Sequence, residues 1–182
     1  MELFRPEAIL FEPVGTLLVV ENPNAATGDA RRLRAEARTG QPDLRLTAAP
    51  GAHDLLDELA ADQVLLAVVS GFAGGARSLA AELERHGLRR SFPCIVASSD
   101  SELSGASAAP LREALRRLRV PAARAWHVGS DFAADVTHAA AAGLRPLWLD
   151  ASDASPPGAT PHQRISSLDA LLALYLESQG SR

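Results

Sequence analysis

The chain has 182 residues and a formal charge of −4, with 18 basic and 22 acidic side chains. That length suits one domain, residues 1–182, with a sizeable core, and an apolar share of 47% excludes a disordered or fibrous chain. A net negative charge supplies no field for nucleic acid, and no apolar run is long enough to span a bilayer, so neither is an expected partner. Residues 1–6 lack the basic-then-apolar pattern of a secretory leader, and the expected location is the cytoplasm. Cys94 is the single cysteine. It lies in an apolar run, so it is expected as a buried hydrophobe. No lysine occurs, and every basic side chain other than histidine is an arginine.

In chain order, a first strand is expected over 8–11, where Ala8-Ile9-Leu10-Phe11 runs into Glu12-Pro13-Val14-Gly15-Thr16-Leu17. A polar insert at 20–47 follows, with one basic helical piece at 29–38 (Arg31, Arg32, Arg34 and Arg38) and too few apolar residues for its own core. Pro50-Gly51 opens a helix over 51–60, with Leu55, Leu56 and Leu59 on one face. A strand over 64–69 ends at Ser70-Gly71. The helix over 76–86 carries Leu79, Ala80 and Leu83, and Gly87 follows as a left-handed cap. Next come a strand over 94–97, a helix over 110–118 (Leu111, Leu115, Leu118) and a break at Pro121. A strand over 125–128 leads to a helix over 133–142 closed by Gly143, and a fifth strand covers 145–149. A Ser/Pro/Gly loop over 151–161 precedes a last helix over 167–178, which Ser167 caps. Strands alternating with helices imply a parallel sheet wound by right-handed crossovers.

Three stretches carry chemistry. The first is the strand that delivers Glu12 to the carboxyl edge of the sheet, where open α/β folds place their sites. The second is Leu65–Phe72 (LLAVVSGF), which presents Ser70. The third is Trp126-His127-Val128-Gly129-Ser130-Asp131-Phe132-Ala133-Ala134-Asp135-Val136. Together they resemble the haloacid dehalogenase-like (HAD) superfamily, from the first strand to the last apart from the insert. The resemblance implies a Rossmann-like three-layer α/β sandwich with a five-stranded parallel sheet, and it makes 20–47 a minimal cap insert. It also implies phosphohydrolase chemistry. Glu12 then stands at the nucleophile position, Ser70, Gly71 and Thr16 bind phosphate, and Glu12, Asp131 and Asp135 hold Mg²⁺ through oxygen.

Several positions depart from the family pattern. Glu12 stands where relatives have aspartate, and its extra methylene displaces the attacking oxygen. A misplacement of about 1 Å can cost about 100-fold. Val14 replaces a second aspartate that serves as general acid–base, a role worth about 10²–10⁴-fold. Ser130 occupies the first metal-holding position, and Asp131 falls one place late. Both Asp131 and Asp135 also suit a helix start. The family's lysine has no counterpart, because 98–110 contains no cation and Arg112, the nearest, is expected on a solvated helix face. His127 is expected as a structural residue.

Taken together, these departures predict a protein that has lost phosphohydrolase activity and works by binding a small phosphorylated or anionic ligand or a protein partner, a second copy of the chain included. The alternative is a weak or specialised Mg²⁺-dependent phosphohydrolase that uses Glu12 with Asp131 and Asp135.

Overall fold

The computed structural model describes residues 4–21, 45–71, 75–98, 108–152 and 155–180. Eight strands are present among them. They are β1 (Ala8–Phe11), β2 (Leu18–Val20), β3 (Leu46–Ala48), β4 (Leu65–Ser70), β5 (Cys94–Ala97), β6 (Ala125–Gly129), β7 (Arg145–Leu149) and β8 (Gln163–Ile165). Five helices accompany them: α1 (Ala52–Ala61), α2 (Gly75–Arg85), α3 (Ala109–Leu118), α4 (Thr137–Ala142) and α5 (Leu168–Gly180).

Six strands form one sheet in the order β5-β4-β1-β6-β7-β8, and every neighbouring pair is parallel. The expected count of five is therefore short by one. β8 is the addition, a three-residue edge strand that reads Gln-Arg-Ile. Such a short and polar run gives no apolar signal, because an edge strand needs only one side covered. β2 and β3 pair antiparallel and bracket the insert, whose expected helix at 29–38 lies outside the described residues.

β1 sits at the centre and is buried along its whole length, so it reads as an unbroken apolar run. Its side chains alternate between two packed layers, as the two-residue strand period requires. Ile9 and Phe11 join Leu55 and Leu59 of α1, Leu79 and Leu83 of α2, and Leu171 and Tyr175 of α5. Ala8 and Leu10 face Leu111 and Leu115 of α3 and Ala139 of α4. Each large apolar side chain buried in this way contributes about 1.5–3 kcal/mol. The result is the expected three-layer Rossmann-like sandwich.

The helix ends follow the expected punctuation. The Ser167 hydroxyl accepts the Ala170 N–H at 3.0 Å at the start of α5. Gly87 and Gly143 are both left-handed after their helices. Asp62, just beyond α1, fastens α5 to the end of that neighbouring helix. One of its carboxylate oxygens accepts both the Tyr175 hydroxyl at 2.7 Å and the Gln179 amide at 2.6 Å.

Counted in chain order, the main-sheet strands run 3-2-1-4-5-6, and the direction of winding reverses between β1 and β6. In open α/β sheets that reversal opens a crevice outside the carboxyl ends of the strands. Glu12 and Ser130 emerge there from adjacent strands. No helix among the described residues is long and apolar enough to cross a membrane.

Candidate functional site

The chain leaves β1 through a compact turn. The Pro13 carbonyl accepts the N–H groups of Thr16 (3.2 Å), Leu17 (2.9 Å) and Leu18 (2.8 Å), and Gly15 donates to the Leu18 carbonyl at 2.6 Å. Gly15 is left-handed, with φ 85°, a conformation that glycine takes without a Cβ penalty. The turn sits directly after Glu12, whose N–H extends the β1–β6 ladder to the Val128 carbonyl at 3.0 Å.

Glu12 is buried, at 6% exposure, and Ser70 from the end of β4 donates its hydroxyl to Glu12 Oε1 at 2.9 Å. Two of the expected site residues are thus brought into contact across neighbouring strands. Thr16 is buried in the turn, and its hydroxyl has no hydrogen-bond partner among the described residues. Gly71 is exposed, one residue past Ser70.

At the end of β6 the chain folds back on itself. Asp131 Oδ1 accepts the N–H groups of Ala133 at 3.0 Å and Ala134 at 3.1 Å, so its carboxylate caps the helical turn that follows. The Asp131 N–H in turn donates to Asp135 Oδ2 at 2.8 Å, and the Asp135 N–H donates to the Asp131 carbonyl at 2.7 Å. Asp135 is buried against Gly129. A Cβ at that position would overlap the Asp135 Cβ, Cγ and Oδ2 atoms, so only glycine leaves room. The two acids expected four residues apart on one face are therefore linked to each other through the backbone.

The turn itself differs from expectation. Phe132–Val136 wind as one wide turn before α4 begins at Thr137, where a continuous helix over 133–142 was expected. Phe132 packs edge-to-face on Trp148 of β7 (centroids 5.2 Å) and on His162 (5.0 Å), and the Trp148 indole N–H donates to the Ser130 carbonyl at 3.3 Å. Sequence reasoning did not place these three rings beside the site. Phe132 next to an acidic motif and Trp148 ending an apolar strand were visible singly, but their meeting requires the crossover from β6 to β7.

The remaining candidates serve the scaffold. Arg112 is exposed on α3 and donates to the Ala141 carbonyl near the end of α4 at 2.8 Å. A cation at a helix C-terminus is favoured there. His127 is buried within β6, and burial holds its imidazole down to about pH 4 against the opposing pull of the Leu10 backbone, so it is neutral near pH 7. Cys94 is a buried free thiol, and burial raises its pKa.

The fit of this arrangement to Mg²⁺ follows from the donors. Magnesium asks for near-octahedral oxygen ligands. Glu12 offers a carboxylate held by Ser70, whereas Asp131 and Asp135 each have a carboxylate oxygen turned onto backbone N–H groups of their own loop. Among the described residues, no three His, Cys, Asp or Glu side chains converge to hold an ion. The described acids do not fit the ion as they stand.

A model of the haloacid dehalogenase-like hydrolase family matches residues 17–149. The match begins just past Thr16, so it covers Ser70 and the Gly129–Asp135 stretch and leaves out Glu12. No curated protein matches the chain by sequence. Among solved structures, a HAD-superfamily hydrolase from Ehrlichia chaffeensis is similar over 98% of this chain and 100% of its own, with 16% identity and a TM-score of 0.76. A HAD phosphatase from Thermococcus onnurineus is similar over 92% of this chain and 96% of its own, at 18% identity and TM-score 0.70. A 2-haloacid dehalogenase from Pseudomonas syringae pv. Tomato shares 25% identity over 84% of this chain and 66% of its own, with TM-score 0.63.

Proposed function

The chain belongs to the haloacid dehalogenase-like hydrolase family, and from that premise we propose that it is a member that binds at its sheet edge without hydrolysing. The observation that carries this reading is the commitment of the loop acids. Asp131 is bonded to the N–H groups of Ala133 and Ala134, and Asp135 to that of Asp131. A hydrogen bond to a charged group contributes about 1.5–3 kcal/mol. An incoming metal ion would have to offset the loss of such bonds before it gained anything.

Ser130 adds to this argument, because a hydroxyl replaces the carboxylate that the family pattern puts directly after Gly129. The sequence also holds no lysine, so the charge-stabilising role that the family gives to that residue, on which phosphoryl transfer depends, has no direct counterpart. The site is therefore suited to a ligand that donates hydrogen bonds to Glu12, or to a protein partner that covers the edge.

One observation favours the weak-phosphohydrolase alternative. The Ser70 hydroxyl lies 2.9 Å from Glu12, so a carboxylate and a phosphate-binding hydroxyl still meet where such chemistry would start. Magnesium titration followed by thermal unfolding separates the two. A site with Kd near 0.1 mM would add about 2.7 kcal/mol at 10 mM ion, which raises the melting temperature of a chain this size by about 5–11 °C. The binding reading expects no rise. A rise that disappears in Glu12→Ala supports the hydrolase.

A further inference from the structure

Beyond the sheet edge, we propose that the groove on the outer side of β5 is a binding site for a small polyanion bearing phosphoryl or carboxylate groups. The groove has a volume of about 460 Å³ and shares no residue with the Glu12–Ser70 site. That volume lies within the range of small-molecule sites, about 300–1,000 Å³.

Its charge is one-sided. Arg77 of α2, Arg89 of the following turn and Arg117 of α3 line it, and none of the lining residues is acidic. In a chain of net charge −4, three arginines lining one groove, with Glu113 beside Arg117 as the neighbouring carboxylate, make a local excess of positive charge. Arg77 is exposed and has no partner among the described residues. Arg89 uses one N–H on the Phe92 carbonyl at 2.6 Å, which fixes its direction and leaves the rest of its fork for a ligand. Arg117 is partly neutralised by Glu113, at 2.8 Å, but Glu113 is shared with Arg116 at the same distance. Planar guanidinium forks bind phosphate and carboxylate oxygens in pairs.

The groove also limits what can enter. β5 is an edge strand, and an extended peptide could in principle add to it. Arg117 already donates to the Ile95 carbonyl at 3.3 Å, which occupies the edge where a new strand would pair. Ala80, Pro93 and Leu118 supply an apolar wall for the body of a small ligand. A compact polyanion fits this lining better than a strand does.

The test is calorimetric titration with inorganic pyrophosphate and with citrate. Wild type is expected to bind at least one of the two anions. Arg77→Ser should weaken binding about tenfold, whereas Arg85→Ser, outside the groove, and Glu12→Ala should leave it unchanged. Pyrophosphate without citrate would assign a phosphoryl ligand, and the reverse a carboxylate. The proposal is overturned if neither anion binds in calorimetry, if Arg77→Ser binds as wild type does, or if only an acidic peptide binds.

Discussion

Gly129→Ala offers the sharpest test of how the β6 loop is built. In an ordinary extended position, replacing glycine by alanine stabilises by about 0.4–1 kcal/mol through the unfolded chain. Here the new Cβ would overlap the Cβ, Cγ and Oδ2 atoms of Asp135, so the stretch of turn that carries this side chain must move away. Its departure breaks the 2.8 Å bond from the Asp131 N–H, a loss of about 1.5–3 kcal/mol for a charged acceptor. Overpacking a buried site adds about 1–3 kcal/mol. The sum, about 3–6 kcal/mol, corresponds to a fall in melting temperature of roughly 6–24 °C for a chain of this length. Circular-dichroism melts of Gly129→Ala, Asp135→Gly and the double variant complete the cycle. If the clash is with the Asp135 side chain, Cβ included, the double variant melts no lower than Asp135→Gly alone. Simple addition of the two single losses, or a Gly129→Ala protein as stable as wild type, would refute the reasoning.

Three further outcomes follow from the same geometry. Asp131→Ala removes the acceptor for Ala133 and Ala134 and should cost about 1–2 kcal/mol in a denaturant titration, with Asp131→Asn recovering most of it. His127 has a folded pKa of about 4 against an ordinary value of 6.5, so between those values only the unfolded chain takes the proton. Its contribution is complete above pH 6.5 and falls away by roughly 3 kcal/mol towards pH 4, at about 1.4 kcal/mol per pH unit. Urea melts from pH 7 to 4.5 should therefore show a steeper loss in wild type than in His127→Gln. Tyr175 is the only tyrosine, and burial together with its bond to Asp62 pushes it up to about 12. Ultraviolet titration should find no phenolate at pH 10.5 in the folded protein, and Asp62→Ala should bring ionisation to lower pH.

The central layers of the fold were legible because parallel strands buried on both faces leave unbroken apolar runs. Ala8–Phe11, Cys94–Ala97 and Arg145–Leu149 fall where the sequence places them. β8 was not legible, since Gln163 and Arg164 carry no strand signal and their pairing depends on β7 already being in place. Of the site, the meeting of Glu12 with Ser70 follows from two motifs on neighbouring strands. The direction of the Asp131 and Asp135 carboxylates does not, because spacing of four fits a metal-holding face and a capped turn equally well. Backbone N–H groups decide between them, and sequence does not display those. The aromatic contact of Phe132 with Trp148 and His162 was hidden for a related reason, as it joins residues 16 to 30 positions apart.

Whether the sheet edge retains chemistry is decided most directly by release of p-nitrophenol from p-nitrophenyl phosphate with Mg²⁺. Wild type, Glu12→Ala and the double variant Glu12→Asp with Ser130→Asp should be compared at equal concentration. Loop acids closed on their own backbone predict that wild type releases no more than Glu12→Ala, while the double variant, which restores the family's two aspartates, releases more than either. Wild-type turnover that disappears in Glu12→Ala would contradict the account.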